Sequence, residues 1–258
     1  MRAYLLLFLC ILFVLSCQEN RKEQPYDPDS FIDPELFKDH IRVTDFQTAE
    51  EEMKGFHLPP GFEINLYVSE PDITKPINME FDDRGRLWVT HSIEYPNEAS
   101  TGSGQDKITI VEDTNGDGKA DKFTDFASDL NIPIGIMPVK GGAIAYSIPN
   151  IYYFEDKDGD DKYDEKTVLV GPFDHVDTHG MINNFMLGLD GWIHSSHGFR
   201  NSSKVSGADK DSISMTSGNT FRFRLDGSRV EQTTFGRSRL RLLCRLPHHA
   251  HLPDHQSG

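Results

Sequence analysis

From Ile77 onward, apolar and polar residues alternate in short runs, and the runs are broken by Gly and Asp. Residues 77–92, INMEFDDRGRLWVTHS, read as a strand, an Asp/Gly turn and a second strand. The same outline returns at 134–147, turning at Gly141-Gly142, and at 183–198, turning at Asp190-Gly191. Downstream of the first two, the strands 107–113 (KITIVED) and 151–156 (IYYFED) run into acidic loops, and 122–127 (KFTDFA) and 166–170 (KTVLV) lead out of them. A third outer hairpin at 219–235 carries a loop shrunk to Asp226-Gly227. This pattern predicts an all-β chain.

Asp113 and Asp156 head the two acidic loops and stand 43 residues apart, a period that suits a four-stranded propeller blade. The reading is a partial β-propeller over 58–236, with blades at about 77–127, 132–173 and 180–235, roughly half of a six-bladed ring. Residues 61–70, GFEINLYVSE, form a further expected strand that would complete the last blade. Trp88 and Trp192 are expected in blade cores, and His194 is expected to be packed or solvated. A β-sandwich also has short, evenly spaced strands; matched loops at one fixed place in each unit favour the propeller.

Both loops space their oxygen ligands alike. In the first these are Asp113, Asn115, Asp117, the Lys119 carbonyl and Asp121; in the second, Asp156, Asp158, Asp160, the Lys162 carbonyl and Asp164, with Glu165 to spare. All-oxygen ligation at that spacing suits a hard cation, Ca²⁺ rather than Zn²⁺. The twelfth place, a Glu in an EF-hand, holds Thr124 or Thr167, and the flanks are strands. Weak, structural calcium is the expectation; an ion-free turn rich in Asp and Asn is the alternative.

Charge and cysteine usage narrow the function. Lys+Arg 26 against Asp+Glu 41 gives a net charge of −15, which argues against nucleic acid as a partner. Arg2 followed by the apolar run Tyr4–Leu15 reads as a secretory signal, too short to span a bilayer. It ends in Val14-Leu15-Ser16-Cys17, which resembles a bacterial lipobox and implies cleavage before Cys17 and lipidation of its thiol. The domain reading is therefore a lipoprotein signal at 1–17 and a polar, Pro-bearing tether at 18–57, with a short helix over 45–54. The membrane is a partner through the lipid, and the expected location is the bacterial cell envelope. Cys10, Cys17 and Cys244 are the three cysteines, so the mature chain has no disulfide framework.

The stretches LPPGFEINLYVSEPDITKPINMEFDDRGRLWVTHSIEYP (58–96), KITIVEDTNGDGKADKFTDFASDLNIPIG (107–135) and DTHGMINNFMLGLDGWIHSSHG (177–198) resemble the N-terminal propeller of membrane-bound dehydrogenases of planctomycete and Bacteroidetes type. The resemblance covers about residues 56–236 and extends, more distantly, to sugar dehydrogenases that use pyrroloquinoline quinone (PQQ). It implies oxidation of a sugar or other alcohol and a c-type cytochrome as electron acceptor, although this chain has no CxxCH. It implies His179 as the base that removes the hydroxyl proton. Where many members carry a second His, this chain has Gly180. His91, Glu94, Tyr95, Asp177, His197, Arg200 and Asn201 fall at loop ends expected to line a substrate or cofactor channel. Rival readings are a calcium-stabilised carbohydrate-binding propeller without catalysis and a calcium-dependent propeller hydrolase.

After Gly236 the rhythm stops. Residues 237–258 are rich in Arg and His and read either as a metal-binding His tail or as a frame-shifted replacement of the family's next blade. With about half a ring, little dehydrogenase activity is expected of the 258-residue chain. Mass spectrometry of protein from its native host should find a diacylglyceryl group on an N-terminal Cys17; an unmodified Cys17 or cleavage elsewhere overturns the lipoprotein reading.

Overall fold

The computed structural model describes residues 46–100 and 104–234. Cys17 and the signal segment, the tether up to residue 45, and the tail from residue 235 lie outside the described residues. The chain divides into two compact units, Met1–Thr48 and Ala49–Gly258. Residues 46–48 of the first are described, and none is in a helix or strand. In the second, the helix expected over 45–54 is the single turn and a half Ala49–Met53. No helix of the described residues is long and apolar enough to cross a membrane.

The remaining elements are strands, and the fold is all-β. Sheet 1 is an antiparallel meander of β1 (Pro76–Phe81), β2 (Leu87–His91), β3 (Asp106–Glu112) and β4 (Lys122–Leu130). Sheet 2 repeats it with β5 (Ile136–Val139), β6 (Gly142–Ser147), β7 (Asn150–Glu155) and β8 (Glu165–Val170). Sheet 3 is built from β9 (Asn183–Leu187), β10 (Ile193–His197), β13 (Asn219–Phe223) and β14 (Val230–Thr234). Between β10 and β13 a separate hairpin, β11 (Ser202–Ser206) with β12 (Ser212–Thr216), is inserted. The sequence pattern predicts no element there, because the run is mostly Ser, Asp and Lys; the hairpin is anchored by Val205 and Met215, which enter the core.

The three sheets share a register defect. On sheet 1, Ile108 pairs with Ala127 and Thr109 with Asp125, leaving Phe126 as a bulge. On sheet 2, Ile151 pairs with Val170 and Tyr152 with Val168, leaving Leu169. On sheet 3, Thr220 pairs with Thr234 and Phe221 with Gln232, leaving Thr233. A bulge adds local twist, so each outer strand bends at the same place.

Successive side chains of a strand point to opposite faces, and here both faces are apolar. Trp88, Ile110 and Phe126 on the front of sheet 1 pack against Ala143, Ala145 and Phe154 on the back of sheet 2. In turn Ile144 and Leu169 on the front of sheet 2 pack against Ile193 and Phe223 on the back of sheet 3. On the front of sheet 3 the matching places hold His194, Arg222 and Thr233. Arg222 there bonds Asp190 and Glu231, and His194 also meets Asp190. Trp88 is a core residue as expected, whereas Trp192 is buried beneath Arg222 and Arg224 rather than inside an apolar cluster.

The back of sheet 1 (Leu87, Val89 and Val111) is met by Tyr67 and Val68. Residues 61–70 are not a strand, contrary to the sequence expectation: no neighbouring strand among the described residues offers them a ladder. Their placement is nevertheless that of an outer strand. Ala120 N–H donates to the Tyr67 carbonyl at 2.9 Å, just as Tyr163 N–H, 43 residues on, donates to the Phe126 carbonyl at 3.0 Å. Tyr67 stands to sheet 1 as Phe126 on β4 stands to sheet 2.

Candidate functional site

The meander order places the connections at two ends of the sheets. At one end lie the turns 82–86 and 188–192 and the acidic loops 113–121 and 156–164. At the other lie the longer connections 92–105, 131–135, 171–182 and 198–218. The two candidate chemistries are thus separated: the acidic loops at one end, His179 and its neighbours at the other.

Both acidic loops fold the same way. Asp113 accepts N–H bonds from Gly116 (2.7 Å) and Gly118 (2.8 Å), and Asp156 accepts them from Gly159 (2.7 Å) and Asp161 (3.0 Å). The third-place residue bonds the fifth N–H in each loop, Asn115 to Asp117 and Asp158 to Asp160. The fifth-place residue bonds the seventh, Asp117 to Lys119 and Asp160 to Lys162. The ninth reaches back to the second, Asp121 to Thr114 and Asp164 to Lys157. The Gly118 N–H and its neighbours hold the Asp113 carboxyl below the usual carboxylate range. In the second loop Asp156, Asp158 and Asp164 bring carboxylate oxygens within 4.8 Å of one another. Arg86, buried in the β1–β2 turn, reaches that loop at Asp161 (2.9 Å) and also holds Asp82 (2.8 Å). Burial opposes its charge, but these two carboxylates outweigh it and raise its pKa.

At the other end, His179 sits in a 3-10 turn, Thr178–Gly180, capped by Asp177. Its ring is exposed, with Nδ1 3.1 Å from Asp177 Oδ1 and its face edge-on to Tyr95, ring centres 5.4 Å apart. Asn201 builds this turn from beneath: its Oδ1 accepts from Asp177 N–H (2.8 Å) and its Nδ2 donates to the carbonyls of Asp177 (2.9 Å) and Gly180 (3.1 Å). Gly180 lies against Phe199, where an added Cβ would stand 2.2 Å from the backbone oxygen. A second His could not take this place without moving the backbone. Thr178 Oγ1 ties the turn to Pro96, and His175 meets Glu98 at 2.9 Å.

The structure therefore brings together Tyr95, Asp177, His179 and Asn201, with Asn201 buried as a support. His91 and His197 differ from expectation. Each ends the second strand of its sheet and is only 1% exposed. His91 Nδ1 accepts from Thr74 N–H, and His197 Nε2 meets Ser203 Oγ. Burial lowers both pKa values and favours neutral rings. Arg200 is exposed with φ +68°, and its guanidinium has no carboxylate within salt-bridge distance among the described residues.

Sequence reading passed over Asp106, the organiser of this end. It is fully buried and accepts from Ser92 Oγ (3.1 Å) and from the N–H groups of Ile93 (2.5 Å), Glu94 (3.2 Å) and Ile132 (2.7 Å). Glu94 lies against it. Its Oε1 accepts Gln105 N–H at 2.6 Å, while its Oε2 is buried and receives no donor. Burial first, then the Asp106 carboxylate, pushes the Glu94 pKa above the usual range.

A family model described as a domain of unknown function (DUF7133) matches residues 48–241. No curated protein and no solved structure matches the chain.

The raised Glu94 pKa has a measurable consequence. The folded value lies above the unfolded one of about 4.5, so folding holds the proton more tightly. Its contribution to stability is full below about pH 4.5 and is lost as pH rises through the raised folded value. The charged groups around it are Asp106 and Lys75, whose ammonium holds the Ile93 and Tyr95 carbonyls. Urea titrations across pH should show Glu94→Gln removing this decline while keeping the fold; parallel profiles for wild type and variant would refute the raised pKa.

Proposed function

The chain belongs to the DUF7133 family, and from that premise we propose that residues 58–236 are part of a β-propeller of dehydrogenase type. In this reading it is exported, held in the bacterial envelope by lipid at Cys17, stapled by Ca²⁺, and acts on a hydroxyl of a sugar or other alcohol. Three observations support the propeller: consecutive four-stranded meanders, one shared bulge position, and the repeated front-to-back packing of neighbouring sheets. Two sheets facing each other as a sandwich would not repeat one relation from sheet to sheet.

The observation that carries the catalytic reading is the contact between His179 and Asp177. Asp177 accepts the Nδ1 proton, which sets the tautomer and leaves the Nε2 lone pair toward solvent. An alcohol bound over the turn gives its hydroxyl proton to Nε2. The resulting imidazolium is stabilised by the Asp177 carboxylate, and the alkoxide carbon can release hydride to an acceptor. The described residues do not fit PQQ as that acceptor. The quinone bears three carboxylates, and this end presents Glu98, Asp174 and Asp177 to it; Arg200 is exposed and without a carboxylate partner among the described residues, but Lys75 is already bound to backbone carbonyls, so the cations do not match three further negative charges.

The donor set of the acidic loops does fit calcium: oxygen ligands only, arranged alike in both loops, with three carboxylates already converging in the second. Asp113, Asn115, Asp117, Asp121 and the Lys119 carbonyl would hold one ion; Asp156, Asp158, Asp160, Asp164 and the Lys162 carbonyl would hold the other. Bound there, the ion neutralises clustered charge and takes no part in the chemistry at the far end. That separation speaks against the calcium-dependent hydrolase. The carbohydrate-binding module keeps one observation in its favour: Tyr95, Phe199 and Val176 expose apolar surface beside carboxylates.

Two experiments test this reading. A chelator should lower the melting temperature and added Ca²⁺ restore it, by about 2–3 kcal/mol per loop at a hundredfold excess over Kd. Asp117→Asn and Asp158→Asn should each reduce the effect, and melting indifferent to chelator would remove calcium. In a protein with the missing blades restored, dye-linked oxidation of a panel of sugars and alcohols should fall about a hundredfold or more with His179→Ala and less with Asp177→Asn. An unchanged rate would exclude His179 as the base; saturable sugar binding with no oxidation would leave the binding module.

A further inference from the structure

At the acidic-loop end, the seam between sheets 1 and 2 is filled and the seam between sheets 2 and 3 is open. The loop after β7 closes the first seam. Its Tyr163 ring lies over Phe126 of sheet 1 and edge-on to Phe154 of sheet 2, ring centres 6.4 and 5.2 Å away. The loop after β13 has lost this plug. Eleven residues separate the paired Val111 and Phe123, and eleven separate Phe154 and Lys166; six separate Phe223 and Val230. The shortened turn packs its backbone at Gly227 against Leu169, the residue that matches Phe126. Among the described residues, no ring takes the place of Tyr163.

The result is a cleft of 570 Å³, within the size range of small-molecule sites, about 300–1,000 Å³. Val139, Ile144, Leu169 and Leu225 form its walls. Ile144 and Leu169 match Trp88 and Phe126 of the filled seam, where the Tyr163 ring rests on Phe126. At the mouth stand Lys140 and Arg224. Neither has a carboxylate within salt-bridge distance among the described residues, in a chain of net charge −15. Arg224 Cζ lies over the Trp192 ring, 3.9 Å from its centre. The one acidic residue in the lining, Asp226, accepts Ser228 N–H at 2.9 Å within its own turn. Thr167 adds a hydroxyl to the lining, and the Tyr153 hydroxyl is spent on the Gly141 carbonyl.

We propose that this cleft binds a small carboxylate with an apolar body, a phenyl ring or short alkyl chain, which replaces the missing Tyr163 ring and sets its carboxylate between Lys140 and Arg224. The apolar body gains by leaving water for Leu169, Ile144 and Leu225. The carboxylate gains a planar partner in Arg224 and a point charge in Lys140. The site is independent of His179, which lies at the other end of the sheets.

Isothermal titration calorimetry with 3-phenylpropionate and its neutral counterpart 3-phenylpropanol tests this on the intact chain. The carboxylate should bind at a single saturable site, and the alcohol roughly tenfold or more weakly. Lys140→Gln and Arg224→Gln should each weaken the carboxylate roughly tenfold, the size expected for one charge-assisted contact. Lys140→Gln, on an exposed turn, should leave the melting temperature unchanged, so its effect reads binding alone. His179→Ala should bind as wild type. No saturable binding, equal binding of acid and alcohol, or unchanged binding by both cation variants would each overturn the proposal. Loss of binding in His179→Ala would place the ligand elsewhere and overturn it as well.

Discussion

A four-stranded meander that is apolar on both faces cannot stand alone, and every other feature of this fold follows from that constraint. Ile108 and Ile110 of β3 point to one face of sheet 1 and Val111 to the other, and all three are fully buried. Each such side chain contributes about 1.5–3 kcal/mol only if a neighbour covers it. Sheet 2 covers one face, and the 61–70 segment covers part of the other. Because each front packs on the next back, the same contact serves twice with different residues: Trp88 and Phe126 in one seam, Ile144 and Leu169 in the next. The shared bulge keeps the outer strands equally twisted, so the contact can repeat.

Polar chemistry is then confined to the ends of the strands, and buried carboxylates organise it. Asp106 gathers four donors from two connections and so locks the segment bearing Glu94 and Tyr95 to the linker entering sheet 2. Asp174 does similar work nearby, accepting Ser202 N–H at 2.7 Å, which with its other backbone bonds lowers its pKa. At the opposite end, Arg86 joins the turn of sheet 1 to the acidic loop of sheet 2 through Asp161. Removing one partner from such a buried pair leaves an uncompensated charge, which costs far more than the pair contributes.

Much of this was legible in the chain. Period-2 runs and Gly turns placed the three four-stranded sheets, because alternation along a strand marks its two faces. The β3–β4 and β7–β8 loops were legible because Asp, Asn and Gly recur there at fixed offsets. The hairpin 202–216 was not, since its two anchors, Val205 and Met215, are scattered in a polar run. Segment 61–70 alternates like a strand, yet alternation cannot say whether a ladder partner exists. At the candidate site, the sequence could nominate His179 and Asp177 but not separate them from His91 and His197, because burial depends on which strand end each occupies. Asp106 looks like any acid ahead of an apolar run; its four donors come from residues as distant as Ile132.

The charged front of sheet 3 bears on assembly. A front-to-back contact has direction, and a directional contact repeated without closing makes a filament rather than a finite particle. Sheets 1 and 2 both present apolar fronts. In sheet 3 the same three places are His194, Arg222 and Thr233, with Arg222 already committed to Asp190 and Glu231. A further apolar back laid against it would have to strip water from those ions without replacing their partners. The charged front of sheet 3 is thus a poor seat for the back of sheet 1 of a second molecule, even though the 61–70 segment covers that back only in part.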